Sequence, residues 1–137
     1  MKTMRSMTLL IVCVCLGCAG GSAPNVLEVR QSGENKIEIN DRALAQRIAF
    51  GEISLKRLEY GSEAQVILQN KTKRDVTFEY RFIWYDAAGF EVSALTAWIP
   101  ATLSGGQSSG LKSTAPTTTA VDFKLMIRSP HPLTNMT

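Results

Sequence analysis

All three cysteines of the chain fall within six residues, Cys13-Val14-Cys15-Leu16-Gly17-Cys18. Thiolates at this spacing could hold zinc or copper if a fourth ligand converged on them. However, Cys13 and Cys15 lie inside the apolar run Leu9–Leu16, and no His, Asp or Glu precedes Glu28. A cysteine in such a setting behaves as a small hydrophobe, so no metal site is expected. The sole histidine, His131, stands between Pro130 and Pro132 and reads as a solvated residue of the tail. With Met126 and Met136 it makes too small a ligand set for copper.

Acid–base chemistry has one candidate pair, Asp86 and Glu91, on either side of a turn. Two carboxylates across a cleft are what glycoside hydrolysis requires. An aspartate opening an Asp-Ala-Ala-Gly turn is first of all an acceptor for the turn's amides. There is no Gly-x-Ser-x-Gly, phosphate loop or dinucleotide fingerprint. The chain therefore reads as non-enzymatic, with no catalytic residue and no cofactor.

Binding chemistry has better candidates. Tyr80, Trp84, Tyr85 and Trp98 could stack on sugar rings or on a partner's side chains. Tyr80 and Trp84 share a parity with Phe78 and Phe82, which assigns them to the core. Tyr85 has the opposite parity and lies beside the turn. Together with Trp98, Arg81 and Glu79 it forms the candidate binding group.

The cysteines find their explanation in the leader. Met1–Met7 carries Lys2 and Arg5 and no acid, and it runs into Leu9–Leu16 and the small residue Gly17. This is the layout of an export signal. An apolar run of eight is too short to cross a bilayer, which takes about 20 helical residues. Leu16-Gly17-Cys18-Ala19 resembles a bacterial lipobox, in which cleavage exposes a cysteine that becomes acylated, here Cys18. Cys15 replaces the usual aliphatic residue three positions before it. An aspartate after the cysteine would imply retention in the inner membrane. Ala19 stands there instead, so the resemblance implies an outer-membrane lipoprotein facing the periplasm of a Gram-negative cell. Cleavage would leave a single thiol, which rules out a disulfide. Without Lys2 and Arg5 the 15 basic residues become 13, against 12 acidic ones. No Lys/Arg run follows, so neither nucleic acid nor an anionic surface is an implied partner.

The elements that must position these residues are strands. In Val76–Tyr85, Val76, Phe78, Tyr80, Phe82 and Trp84 alternate with Thr77, Glu79, Arg81, Ile83 and Tyr85. Strict alternation with aromatic enrichment predicts a half-buried strand. Glu79 and Arg81 fall on its wetter face, where they can interact weakly. Ala120–Arg128 repeats the pattern, with Val121, Phe123, Leu125 and Ile127 inward. Ala64, Val66 and Leu68 mark a third strand. Asn70–Asp75 is expected to turn it back onto Val76–Tyr85 as an antiparallel neighbour.

Asp86–Gly89 makes the next connection, with Gly89 free to take positive φ, and Phe90–Val92 begins a return strand. Weaker strands are expected at Lys36–Ile39, Ile48–Leu58, Leu95–Ala101 and Gly110–Ser113. A change of phase near Gly51 or Ser54 suggests a bulge. Only Asp41–Gln46 has helical character. Ser104–Thr119 reads as an edge strand between two loops.

About seven short strands and one short helix predict an all-β fold, an antiparallel sandwich. The expected organisation is a signal peptide over 1–17, a lipid-anchored flexible tether over 18–35, a sandwich over 36–128 and a flexible tail over 129–137.

Tyr80–Gly89, preceded by Asn70-Lys71-Thr72 and followed by Trp98, Ala115-Pro116 and Phe123, looks like the YcfL-type periplasmic lipoproteins. The resemblance spans roughly Ile37–Arg128 and the leader. It implies an Ig-like β-sandwich tethered in the envelope and carries no catalytic residue with it. The expected partners are the membrane, through the acylated Cys18, and another envelope protein. The alternative is a module that binds peptidoglycan or another glycan.

Overall fold

The computed structural model describes residues 23–92 and 97–130. Cys18, the signal peptide and His131 lie outside the described residues. Eight strands and one helix are present: β1 (Asn25–Val29), β2 (Asn35–Glu38), α1 (Arg42–Arg47), β3 (Ile48–Leu58), β4 (Gly61–Asn70), β5 (Val76–Asp86), β6 (Ile99–Leu103), β7 (Ser108–Thr114) and β8 (Ala120–Arg128). They form two antiparallel sheets, one ordered β2-β1-β8-β5-β6 and the other β3-β4-β7. The fold is the expected all-β sandwich with one short helix.

The core follows from alternation, since every second side chain of a strand points to the same face. Along β5, Val76, Phe78 and Trp84 are buried, and Phe123, Leu125 and Ile127 of β8 are fully buried. Trp84 pairs in register with Phe123, and their rings lie 5.4 Å apart. From the facing sheet come Ala64, Val66 and Leu68 of β4. Trp84 also joins the layers directly, because its Nε1 donates to Ser113 Oγ of β7 at 2.9 Å. The helix is a plug at one end. Asp41 caps it by accepting from Leu44 N, and Leu44 is fully buried.

The phase change in β3 is a bulge, with Phe50 opposite Leu68 and Ile53 opposite Val66. β7 is the edge strand expected within Ser104–Thr119.

Three expectations are corrected. First, Asn70–Asp75 joins strands of different sheets and is a crossover, because β4 pairs with β3 and β7 while β5 pairs with β6 and β8. Asn70 secures that crossing. Its Nδ2 donates to the carbonyls of Arg74, Leu103 and Ser104 at 2.7–3.0 Å, and its Oδ1 accepts from the amide and hydroxyl of Thr72. Second, the tether expected over 18–35 overlaps β1, which lies between β2 and β8. The sandwich therefore starts at Asn25 and not at residue 36. The inward residues of β1 are Asn25, Leu27 and Val29, so only two apolar residues alternate and the period is too short to register. Asn25 is buried because its Oδ1 accepts from the amides of Asn40 and Asp41 and its Nδ2 donates to the Asp41 carbonyl. Third, Phe90–Val92 does turn back onto β5, through a bridge between Tyr85 and Glu91 and amide bonds from Asp86 to the Phe90 carbonyl and from Val92 to the Trp84 carbonyl, but among the described residues it stays shorter than a strand. The strand that returns along β5 is β6, opposite Val76–Tyr80. With β1 the described residues hold eight strands, in keeping with the expected number of about seven.

Candidate binding face

On β5 the residues that do not face the core are Thr77, Glu79, Arg81, Ile83 and Tyr85. The register sets Glu79 opposite Arg128, Arg81 opposite Met126, Ile83 opposite Lys124 and Tyr85 opposite Asp122. All of these belong to the outer face of the five-stranded sheet. Trp98, half-buried, reaches the same face from the segment that leads into β6. The four residues singled out in the sequence, Glu79, Arg81, Tyr85 and Trp98, are thus brought together.

Their contacts differ from the expected ones. The guanidinium carbons of Arg81 and Arg128 lie 4.5 Å and 4.0 Å from the centroid of the Trp98 ring. Glu79 pairs with Arg128 at 3.3 Å, a cross-strand partner, instead of with Arg81 two residues along its own strand. Residues directly opposite on neighbouring strands have Cβ atoms about 5 Å apart, closer than residues two apart along one strand. Lys124 Nζ lies 5.2 Å from the Tyr85 ring centroid. Arg128 and Lys124 escaped the sequence reading. Their outward parity on β8 was visible, but which β5 residues they would meet depends on register.

Ile83, although on the outer side of its strand, is only 7 % exposed. It lines a depression of about 160 Å³ with Arg81, Tyr85, Lys124, Met126 and Glu28. The face therefore has an apolar centre, a mixed-charge rim and two aromatic rings in contact with cations. A cation over a ring is worth about 0.5–1 kcal/mol at exposed sites and more when desolvated. These contacts pre-order long side chains that would otherwise have to be immobilised on binding.

Asp86 is the turn residue it was expected to be. Its Oδ1 accepts from the amides of Ala88 and Phe90 at 3.0 and 2.9 Å, and Gly89 takes a φ of 87°. Met126 belongs to the outer face, while Met136 lies outside the described residues.

A family profile described as "Protein of unknown function (DUF1425)" matches residues 35–129. No curated protein matches the chain. Two solved structures share its fold. One is a DUF1425 family member from Shewanella sp. pv-4, with a TM-score of 0.57 and 23 % identity over 62 % of this chain and 80 % of the other. The second is Campylobacter jejuni cj0090, with a TM-score of 0.50 and 20 % identity over 59 % of this chain and 85 % of the other. With the profile covering most of the sandwich, the chain belongs to the DUF1425 family of proteins of unknown function.

Proposed function

We propose that this protein is a non-enzymatic, lipid-anchored accessory module of the bacterial envelope, which binds another envelope protein through the outer face of its five-stranded sheet. The observation that carries this reading is the placement of Arg81 and Arg128 against the Trp98 ring, with Tyr85 beneath Lys124 on the same face. Tryptophan, tyrosine and arginine are the residue types that dominate protein–protein hot spots. Charges of both signs surround them, which suits a protein partner better than a polyanion.

Glycan binding, the alternative, needs a bare aromatic face. A sugar stacking on Trp98 would compete with guanidinium groups already resting on its ring. That leaves Tyr85 as the aromatic available to a glycan.

The anchor is Cys18. Each buried methylene adds about 0.8 kcal/mol, so one acyl chain holds marginally and two or more hold stably. The proposed location is the periplasmic face of the outer membrane, in keeping with Ala19 after the cysteine and with the YcfL-type resemblance. Intact mass spectrometry of membrane-extracted protein should show an acyl mass that disappears in Cys18→Ala. A photo-crosslinking residue at position 85 should give a discrete adduct in intact cells, and one at position 112 on the other sheet should not. Equal adducts at the two positions would sink the protein-binding reading. Retention on purified sacculi that is lost in Tyr85→Ala would favour the glycan alternative.

A further inference from the structure

The chain joins the sandwich at Asn25, beside the segment that leads into α1, and two further segments are bonded in series to that helix. Asn40 Nδ2 donates to the Pro24 carbonyl at 2.9 Å. The Lys71 amide donates to the Arg47 carbonyl and the Gly106 amide to the Thr72 carbonyl, both at 2.8 Å. α1, the β4–β5 crossover and the β6–β7 turn therefore make up one end of the sandwich. Exposed on it are Arg42, Arg47, Lys71, Lys73 and Arg74, with Glu38 and Asp75 as the accompanying acids. Among the described residues, the ion pairs join Arg30 to Glu28 and Glu34 and Arg128 to Glu79, so they leave these five cations un-neutralised. The opposite end carries Glu34, Glu59 and Glu91 with Arg30 and Arg57. The domain is nearly neutral as a whole, yet it is polarised along its strands.

We propose that the basic end is a docking surface for an anionic phospholipid bilayer, the same one that receives the acyl chains of Cys18. This inference rests on the anchor proposed above. Two arguments select the bilayer as the occupant. The first is reach: Asn25 lies seven positions after Cys18, and those seven steps span about 24 Å when fully extended. An eleven-residue strand such as β5 is itself about 36 Å long. The tether therefore keeps the basic end near the headgroups and leaves the acidic end pointing away. The second is complementarity. Headgroup phosphates supply the opposite charge, and screening limits their attraction to about 8 Å at physiological ionic strength. Only an end already held at the surface can use it. Each Lys or Arg brought there adds roughly fivefold to surface affinity.

The test uses the acylated protein extracted from membranes and reconstituted into phosphatidylcholine vesicles, with or without about a third phosphatidylglycerol. Amine-reactive labelling read by peptide mass spectrometry should be about fivefold slower at Lys71 and Lys73 in the anionic vesicles alone. Lys56 and Lys112 serve as references and should not change. Salt at about 0.5 M should remove the protection, as should the combined substitution Arg42→Gln, Arg47→Gln and Arg74→Gln, provided that its thermal midpoint is unaltered.

Equal labelling in the two vesicle types, or protection that survives the triple substitution, would overturn the inference while leaving the anchor intact. Protection by soluble polyphosphate but not by vesicles would overturn it too. If the protein carries no acyl group, the anchor reading fails separately. The unacylated protein, tethered through an N-terminal His-tag to vesicles carrying nickel-chelating lipid, would then take its place: protection of Lys71 and Lys73 in anionic vesicles alone would still support the surface, and equal labelling would refute it.

Discussion

The guanidinium of Arg128 lies 4.0 Å from the centroid of the Trp98 ring, linking the last residue of β8 to the segment that leads into β6. β5 runs between those two strands, and its Glu79 pairs with the same guanidinium. One arginine thus gathers three neighbouring elements on the face opposite the core. The contact is half-exposed, so it orders the face without being essential to the fold.

That distinction is measurable. Trp98→Ala should cost about 1 kcal/mol by urea denaturation, whereas Trp84→Ala in the core should cost about 3–5 kcal/mol. Equal costs would make Trp98 a core residue and remove the case for a binding face.

Asn70 holds the crossover that sends the chain from one sheet to the other. Asn70→Ala should lose about 2–4 kcal/mol, because the carbonyls of Arg74, Leu103 and Ser104 lose their donor in a buried setting. Asn70→Asp should not rescue it, since a carboxylate cannot donate to those carbonyls. An Asp variant as stable as the native protein in chemical denaturation would contradict this account of the crossover.

The bond between Trp84 and Ser113, like that from Asn70 to the Leu103 carbonyl, is a direct polar link between the layers. Ser113→Ala should cost about 1 kcal/mol. In the Trp84→Phe background the same change should cost less, because the bond is already gone. A double-mutant cycle with no coupling would show that the bond contributes nothing.

Two turn glycines should differ in severity. At Gly105 an added Cβ would run into the Lys73 backbone, so Gly105→Ala must displace either the crossover or the β6–β7 turn and should cost about 2–4 kcal/mol. At Gly89 there is open space and only the φ of 87° opposes a side chain, so Gly89→Ala should cost about 1–2 kcal/mol. Thermal melts of the two variants would rank them, and a reversed order would refute the clash.

The sequence by itself determined the elements. Alternation from Val76 to Tyr85 and from Val121 to Ile127 sorted core from surface. Asp41 announced the helix, and the broken phase of Ile48–Leu58 announced the bulge. It also placed Glu79, Arg81 and Tyr85 on the outer face of one strand. All of these are properties of contiguous residues, which backbone geometry turns directly into side-chain direction. Where the period was short, as at Asn25–Val29, that signal failed.

Only the tertiary structure decided who meets whom. It separated β4 from β5 into different sheets, although a polar turn between two alternating strands looks the same in sequence whether it closes a hairpin or crosses a sandwich. It chose Arg128 over Arg81 as the partner of Glu79 and brought both arginines to Trp98. It collected Arg42 and Arg47 with Lys71, Lys73 and Arg74 at the end where the tether joins, although the sequence shows no long basic run. The physical reason is shared by all three. Strand partners and clustered charges are set by long-range packing of the two sheets, and that packing reflects the whole core and no local stretch of chain.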